Sequence, residues 1–123
     1  MIVIESVNHI EITVSALEGS VKFYKDLFDF EVIENISNSG QAFLKMGDIL
    51  ISLTEVSGYK SSKDSKNCIS FYVDEEDFED AIDELDESGI TVVYGPENIR
   101  KGKRVVFADP DGNHIELSYP KID

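Results

Sequence analysis

The chain is poor in cysteine and in positive charge, and it lacks long apolar runs. One cysteine in 123 residues excludes an internal disulfide and fits a reducing, cytoplasmic setting. Lysine and arginine number 11 against 25 aspartates and glutamates, so the formal charge is 11 − 25 = −14. Nucleic acid is thereby excluded as a partner, because most of the surface would repel a polyanion. The acidity provides solubility, and it favours a cationic ligand or a metal-mediated contact to an anionic one. No run of about 18 apolar residues exists to cross a membrane. The opening MIVIESVNHI has neither a basic stretch nor a small-residue cleavage site, and does not read as a signal peptide.

What is present has the size of one domain, or of two half-domains sharing a core. VNHIEITV (7–14) alternates with period two and predicts a strand. SALE (15–18) follows as a capping box, with Ser15 as N-cap and Glu18 at N3, opening a helix that runs to about Phe28. Leu17, Val21, Tyr24 and Phe28 form its buried stripe. Three strands follow at 30–34, 41–46 and 49–54. ISNSG (36–40) and Gly47-Asp48 supply the turns between them.

A polar connector with three lysines, 55–67, breaks the pattern. It reads as a linker, with a lid over a small anionic group as the alternative. The order then repeats: a strand at 68–73, a helix capped by Asp74 and stopped by Gly89, and a strand at 90–94. GPEN (95–98) reads as a loop, followed by a strand at 104–108, the turn DPDG (109–112) and a last strand at 113–118.

Each half thus has the order βαβββ. The expected fold class is α+β: two tandem βαβββ modules, about 7–54 and 68–118, forming one curved, cup-like mixed sheet with the helices outside. All of 1–123 would make a single domain, because a half of about 50 residues buries too little surface to stand alone. The sheets would continue one another within one chain or by exchange between two, and a homodimer is expected.

Parity assigns the candidate pocket. Ile10, Ile12 and Val14 face the helix layer, so His9, Glu11 and Thr13 face the cup. By the same rule Cys68, Ser70 and Tyr72 face it from the fifth strand, and His114, Glu116 and Ser118 from the last. Ser52, between Ile51 and Leu53, is the first-half counterpart of Glu116. An unpaired inward carboxylate is costly, and a divalent ion held by imidazole, thiolate and carboxylate offsets that cost while leaving positions open for substrate. His9, Cys68 and Glu116 are the candidate ligands. A thiolate donor suits zinc, nickel, iron or cobalt better than manganese or magnesium. Each residue also has a bland alternative: His9 as a retained polar group, Cys68 as a packed thiol, and Glu116 as a carboxylate held by hydrogen bonds or by Arg104. Glu11, Phe43, Ser52, Ser70, Tyr72, Arg104 and His114 are candidate lining residues, with Phe43 and Tyr72 offering an aromatic wall to an organic ligand.

NHI (8–10), VKFYKDLFDF (21–30), FLKMGD (43–48) and FADPDGNHIEL (107–117) together resemble the vicinal oxygen chelate superfamily of glyoxalases, bleomycin-resistance proteins, fosfomycin-modifying enzymes, extradiol dioxygenases and methylmalonyl-CoA epimerase; fosfomycin-type chemistry wants several cationic contacts for a phosphonate, for which Arg104 and the connector lysines are thin support. The resemblance covers almost the full length. It implies metal ligands at the positions of His9, Cys68 and Glu116, with Glu116 and His9 as the catalytic candidates and Glu116, or a ligand that swings off the ion, as the proton shuttle. The implied activity is a metal-dependent lyase or isomerase acting on a small oxygen-chelating substrate. Two positions depart from the pattern: Cys68 stands where a histidine is usual, and Ser52 where glyoxalase I has a fourth, glutamate ligand. The second departure argues against a conventional glyoxalase I. The alternative implied by the same family is a metal-free binding protein of the bleomycin-resistance type, whose acidity suits a cationic ligand.

Overall fold

In the computed structural model of the chain, residues 1–122 are described. Contacts divide the chain into two compact units, Met1–Lys60 and Ser61–Asp123. Each contains one helix and a four-stranded mixed sheet. The first unit holds β1 (Ile10–Val14), α1 (Leu17–Phe28), β2 (Glu31–Ile36), β3 (Gln41–Met46) and β4 (Ile49–Glu55), with a short 3-10 turn at Ser37–Ser39. The second holds β5 (Cys68–Tyr72), α2 (Glu75–Glu87), β6 (Val92–Ile99), β7 (Gly102–Ala108) and β8 (His114–Tyr119).

Both sheets have the same order, β1-β4-β3-β2 and β5-β8-β7-β6. In each, the helix carries the chain from the first strand to the far edge, and a meander returns to lie parallel beside the first strand. The α+β architecture of tandem βαβββ modules is therefore present. Among the described residues, no helix is long and apolar enough to cross a membrane.

The alternation of apolar residues decides which face of each sheet is covered. In the first unit Ile12, Val14, Leu44, Ile51 and Leu53 are buried with Leu17, Val21 and Tyr24 of α1, which packs on β3 and β4. In the second unit Val105, Phe107, Ile115 and Leu117 are buried with Phe78 and Leu85 of α2. Phe78 meets the Tyr119 ring edge-on at 5.2 Å. Each such side chain contributes about 1.5–3 kcal/mol on burial.

Three local expectations are corrected. The cap of α1 is Ala16, with no side-chain cap bond, rather than Ser15. Glu55 reaches across from β4 instead, and its Oε2 accepts the Leu17 N–H at 2.8 Å. The first strand begins at Ile10 rather than at 7, leaving His9 just outside the ladder. GPEN is not a loop but part of β6, which runs on to Ile99. Its register against β7 slips between Tyr94 and Glu97, a bulge that keeps the segment in the sheet despite glycine and proline. Gly95 has φ 88° there, and a Cβ on it would lie 2.7 Å from the Arg104 carbonyl oxygen, so the bulge needs glycine.

The expected stop of α2 is present. Gly89 adopts φ 67°. Its N–H bonds the Asp86 carbonyl at 3.1 Å and that of Ile90 bonds the Leu85 carbonyl at 3.0 Å, the two closures of a Schellman cap. Asp74 is the N-cap of α2, but its carboxylate accepts the Tyr72 hydroxyl at 2.5 Å rather than a helix N–H.

Candidate functional site

The face of the first sheet turned away from α1 carries a polar network. Glu11 of β1 lies opposite Ser52 of β4, and Ser52 lies opposite Phe43 of β3. Ser52 is fully buried, and its Oγ accepts Gln41 Nε2 at 3.0 Å. Glu11 Oε1 accepts Thr54 Oγ1 at 3.2 Å and Gln41 Nε2 at 3.4 Å. The Glu11 carboxylate thus has neutral donors around it. His9 stands at the end of this face, edge-on to Phe43 at 6.2 Å. Its Nδ1 lies 2.7 Å from Asn8 Oδ1. An oxygen acceptor there selects the Nδ1–H tautomer and leaves the Nε2 lone pair for a ligand.

The face of the second sheet turned away from α2 carries Cys68, Ser70, Tyr72, Arg104, His114 and Glu116. Register places Cys68 beside His114, Ser70 beside Glu116 and Tyr72 beside Ser118, on adjacent parallel strands. The Ser70 and Ser118 hydroxyls are hydrogen-bonded at 3.0 Å. On the other side of β8, Arg104 lies opposite Ser118 and Val106 opposite Glu116. Arg104 is therefore a diagonal neighbour of Glu116 on one face, and its Nη1 lies 3.4 Å from Glu116 Oε1. Glu97 Oε1 takes Arg104 Nε at 2.7 Å and Nη2 at 2.6 Å. The guanidinium also sits 5.0 Å over the Tyr94 ring, and Tyr94 meets His114 edge-on at 6.4 Å.

The corrected strand explains that assembly. Tyr94 and Glu97 are three apart and would point to opposite faces of a regular strand. The bulge brings both to the Arg104 side.

A turn fixes the phase of Glu116. The Asp109 carboxylate, buried, accepts the backbone N–H of Asp111 and of Asn113, both at 2.9 Å, and Asn113 Nδ2 at 2.8 Å. DPDGN is thus a structural turn held by its first aspartate, as expected of this segment. It sets Ala108 opposite His114, which makes Ile115 and Leu117 face α2 and Glu116 face away.

A cavity of about 290 Å³ opens beside Glu116, with Ser70, Tyr72 and Ser118 in its wall. Arg100, Pro120, Lys121 and Ile122 complete the wall and were missed by sequence reasoning. Arg100 lies in the β6–β7 turn with φ 43°, and Lys121 in a tail that reads as polar and unremarkable. The signal available was charge: cations are few in so acidic a chain. Asp74, Glu76 and Asp77 also bring ligand atoms within 4.8 Å of one another. All three are exposed at the N-terminus of α2, where carboxylates balance the helix dipole.

Electrostatics in the second unit centre on Cys68. Desolvation of the sulfur, first, and the Glu116 charge, second, raise its pKa, and Arg104 partly opposes them. The hydrogen bond from Tyr72 to Asp74 raises the Tyr72 pKa, with smaller contributions from desolvation and from the Asp74 and Glu76 charges. Arg104 is held protonated first of all by its hydrogen bond to Glu97.

His9 of the first unit and Cys68 and Glu116 of the second are each of a donor type that binds divalent ions, but among the described residues only Asp74, Glu76 and Asp77 bring three ligand atoms within 4.8 Å of one another. His9 has a ring nitrogen left for coordination. Glu116, with a side chain only 12% exposed, meets the Arg104 guanidinium only at 3.4 Å, so its charge is thinly compensated. Cys68 offers a sulfur whose proton a metal would displace.

Residues 6–117 match the family described as the Glyoxalase/Bleomycin resistance protein/Dioxygenase superfamily. A metallothiol transferase, FosB, of Staphylococcus epidermidis is 37% identical over 117 residues, covering 93% of this chain and 81% of that protein. The crystal structure of the fosfomycin resistance protein FosX from Mesorhizobium loti superposes with a TM-score of 0.80 at 26% identity, covering 98% of this chain and 96% of that one. FosX from Listeria monocytogenes, complexed with Mn(II) and sulfate, has the same fold, with a TM-score of 0.85 at 21% identity over 98% of this chain and 94% of that one.

Proposed function

The chain belongs to the Glyoxalase/Bleomycin resistance protein/Dioxygenase superfamily, and from that premise we propose that it is a divalent-metal-dependent enzyme acting on a small, oxygen-chelating substrate. Transfer of a nucleophile to fosfomycin, or to a compound like it, is the reaction to test first. The observation that carries this reading is the near full-length similarity to a metallothiol transferase. It favours transfer over the lyase or isomerase chemistry that the broader family suggests.

In this reading His9, Cys68 and Glu116 hold the ion, and two copies of the chain form the working dimer. A thiolate from Cys68 suits zinc, nickel, iron or cobalt; manganese, present in FosX complexes from Listeria monocytogenes, suits the site if Cys68 stays a thiol and only His9 and Glu116 hold the ion. The ion would supply Lewis-acid polarisation of a substrate oxygen. The protein's own groups do the rest. Asn8 orients the His9 ring. The cavity beside Glu116 has room for a small molecule, and its Ser70 and Ser118 hydroxyls can turn toward polar atoms of that molecule. Arg100 and Lys121 put positive charge on the same wall, suited to an anionic group.

A second reading, a metal-free binding protein, is favoured by one observation: a guanidinium already stands against Glu116. Elemental analysis of protein purified without chelators separates the two. Incubation with fosfomycin, Mn(II), Zn(II), Ni(II), Co(II) or Fe(II), and glutathione or cysteine is then followed by phosphorus NMR. The enzyme reading expects bound metal and a metal-dependent product, both lost in Glu116→Gln. Absence of bound metal and of product with every ion overturns it. Sedimentation at micromolar concentration tests the dimer, which a mass of one chain would refute.

A further inference from the structure

The ion pair between Arg104 and Glu116 has a consequence for the metal, and it rests on the reading of Glu116 as a ligand. Glu116 is the one carboxylate of the candidate ligand set, its side chain is 12% exposed, and its partner is a cation fixed from two other sides. Glu97 takes two of the guanidinium N–H groups and Tyr94 lies under its plane. Those contacts depend on the β6 bulge and not on Glu116. The contact to Glu116 is the longest of the guanidinium's contacts to a carboxylate, 3.4 Å against 2.7 and 2.6 Å to Glu97. It is therefore the easiest to give up, because the strength of a charge-assisted bond falls with length.

We infer that Arg104 is a resident competitor for the metal site: its guanidinium holds the Glu116 carboxylate while the ion is absent, yields it when the ion binds, and stays anchored on Glu97 and Tyr94. The argument is one of charge. Without a cation, a carboxylate with a 12% exposed side chain is costly. Arg104 relieves that cost and keeps the ligand in place on the sheet face. A divalent ion at Glu116 must then be accepted beside a guanidinium, and the repulsion weakens binding. Glu97 tunes the effect, since its negative charge neutralises part of the guanidinium. Arg104 is a positioning residue here, acting on the metal through Glu116.

The two charges predict opposite signs. Metal-depleted wild type, Arg104→Gln and Glu97→Gln are titrated with Zn(II) by calorimetry and with Co(II) by its visible absorption. Arg104→Gln should bind about two- to fivefold more tightly, the scale of a long ion pair near the surface. Glu97→Gln, which leaves Arg104 less neutralised, should bind more weakly. Arg104→Lys keeps the charge and should stay near wild type, which separates charge from side-chain loss. Circular dichroism confirms that each variant is folded. Glu116→Gln is the control on the underlying reading. If it binds metal as wild type does, the assignment of Glu116 as a ligand falls, and this inference with it. If Glu116→Gln loses the metal while Arg104→Gln matches wild type or binds more weakly, the competitor role alone is overturned. Binding by neither wild type nor Arg104→Gln overturns both.

Discussion

Replacing Asp109 by alanine tests the physical account of the turn that aims Glu116. The wild-type carboxylate accepts two backbone N–H groups at 2.9 Å each and the Asn113 amide at 2.8 Å, and Asp109 is 4% exposed. Hydrogen bonds to a charged group contribute about 1.5–3 kcal/mol each, and a buried donor left without its acceptor costs a similar amount. The three share one acceptor group and do not add independently. The turn is also near enough to the surface for water to reach Asn113, which is half-buried. The expected loss is about 3–4 kcal/mol, near the upper end for single substitutions.

An unfolding entropy of about 2.1 cal/mol/K per residue makes 1 kcal/mol worth about 4 °C in a chain of this length. Asp109→Ala should therefore lower Tm by about 12–15 °C. Asp109→Asn keeps an oxygen for the two backbone donors but turns an NH2 toward Asn113, and should fall between the two. Calorimetry or far-UV circular dichroism measures the shift. The chain has no tryptophan, so fluorescence would have to rest on its five tyrosines. A fall of less than about 4 °C for Asp109→Ala would refute the claim that this carboxylate holds the turn.

Gly102→Ala should destabilise far more than a glycine in open space, because its Cβ would stand 2.1 Å from the Tyr119 carbonyl oxygen and 2.8 Å from Pro120 Cδ. Thermal melts beside Gly19→Ala, where nothing lies within 4 Å, check this, and equal Tm values would be incompatible with the packing of β7 on the end of β8. Cys68 should alkylate slowly at neutral pH, since desolvation and Glu116 hold its proton on. In metal-depleted Glu116→Gln one of those causes is gone, so the pKa should drop and the iodoacetamide rate profile shift to lower pH. A shift to higher pH, or none, would show that Glu116 does not act on the sulfur.

Which parts of this architecture were legible depends on how many residues each feature needs. The face of Glu116 is a property of alternation along one strand: Ile115 and Leu117 are buried at 1% and 5%, and their apolar side chains announce it. The βαβββ order is legible for the same reason, twice. The cap of α1 was not legible, because the acceptor for Leu17 is Glu55, 38 residues away, and Ser15 offers a nearer and more conventional choice. The strand character of GPEN was hidden by its own composition. Gly95 and Pro96 read locally as a break, and only pairing with β7 turns that break into a bulge.

The same distinction governs the site. Register now supports the equivalences read from pattern: Ser52 and Glu116 each lie on the fourth strand of their unit, opposite Glu11 and Ser70 of the first. The acid and the hydroxyl have exchanged strands between the two halves. In the first unit the acid, on β1, is bonded by Thr54 and Gln41, which are neutral. In the second it stands on β8 against Arg104, a cation. Alternation can say that both carboxylates leave the helix side. It cannot say which of them meets a charge, because that depends on residues from three other strands. The chemical asymmetry between two units of one topology therefore resides in side-chain partners, and substitutions at Arg104 and Glu97 should alter the character of Glu116 while leaving Glu11 as it is.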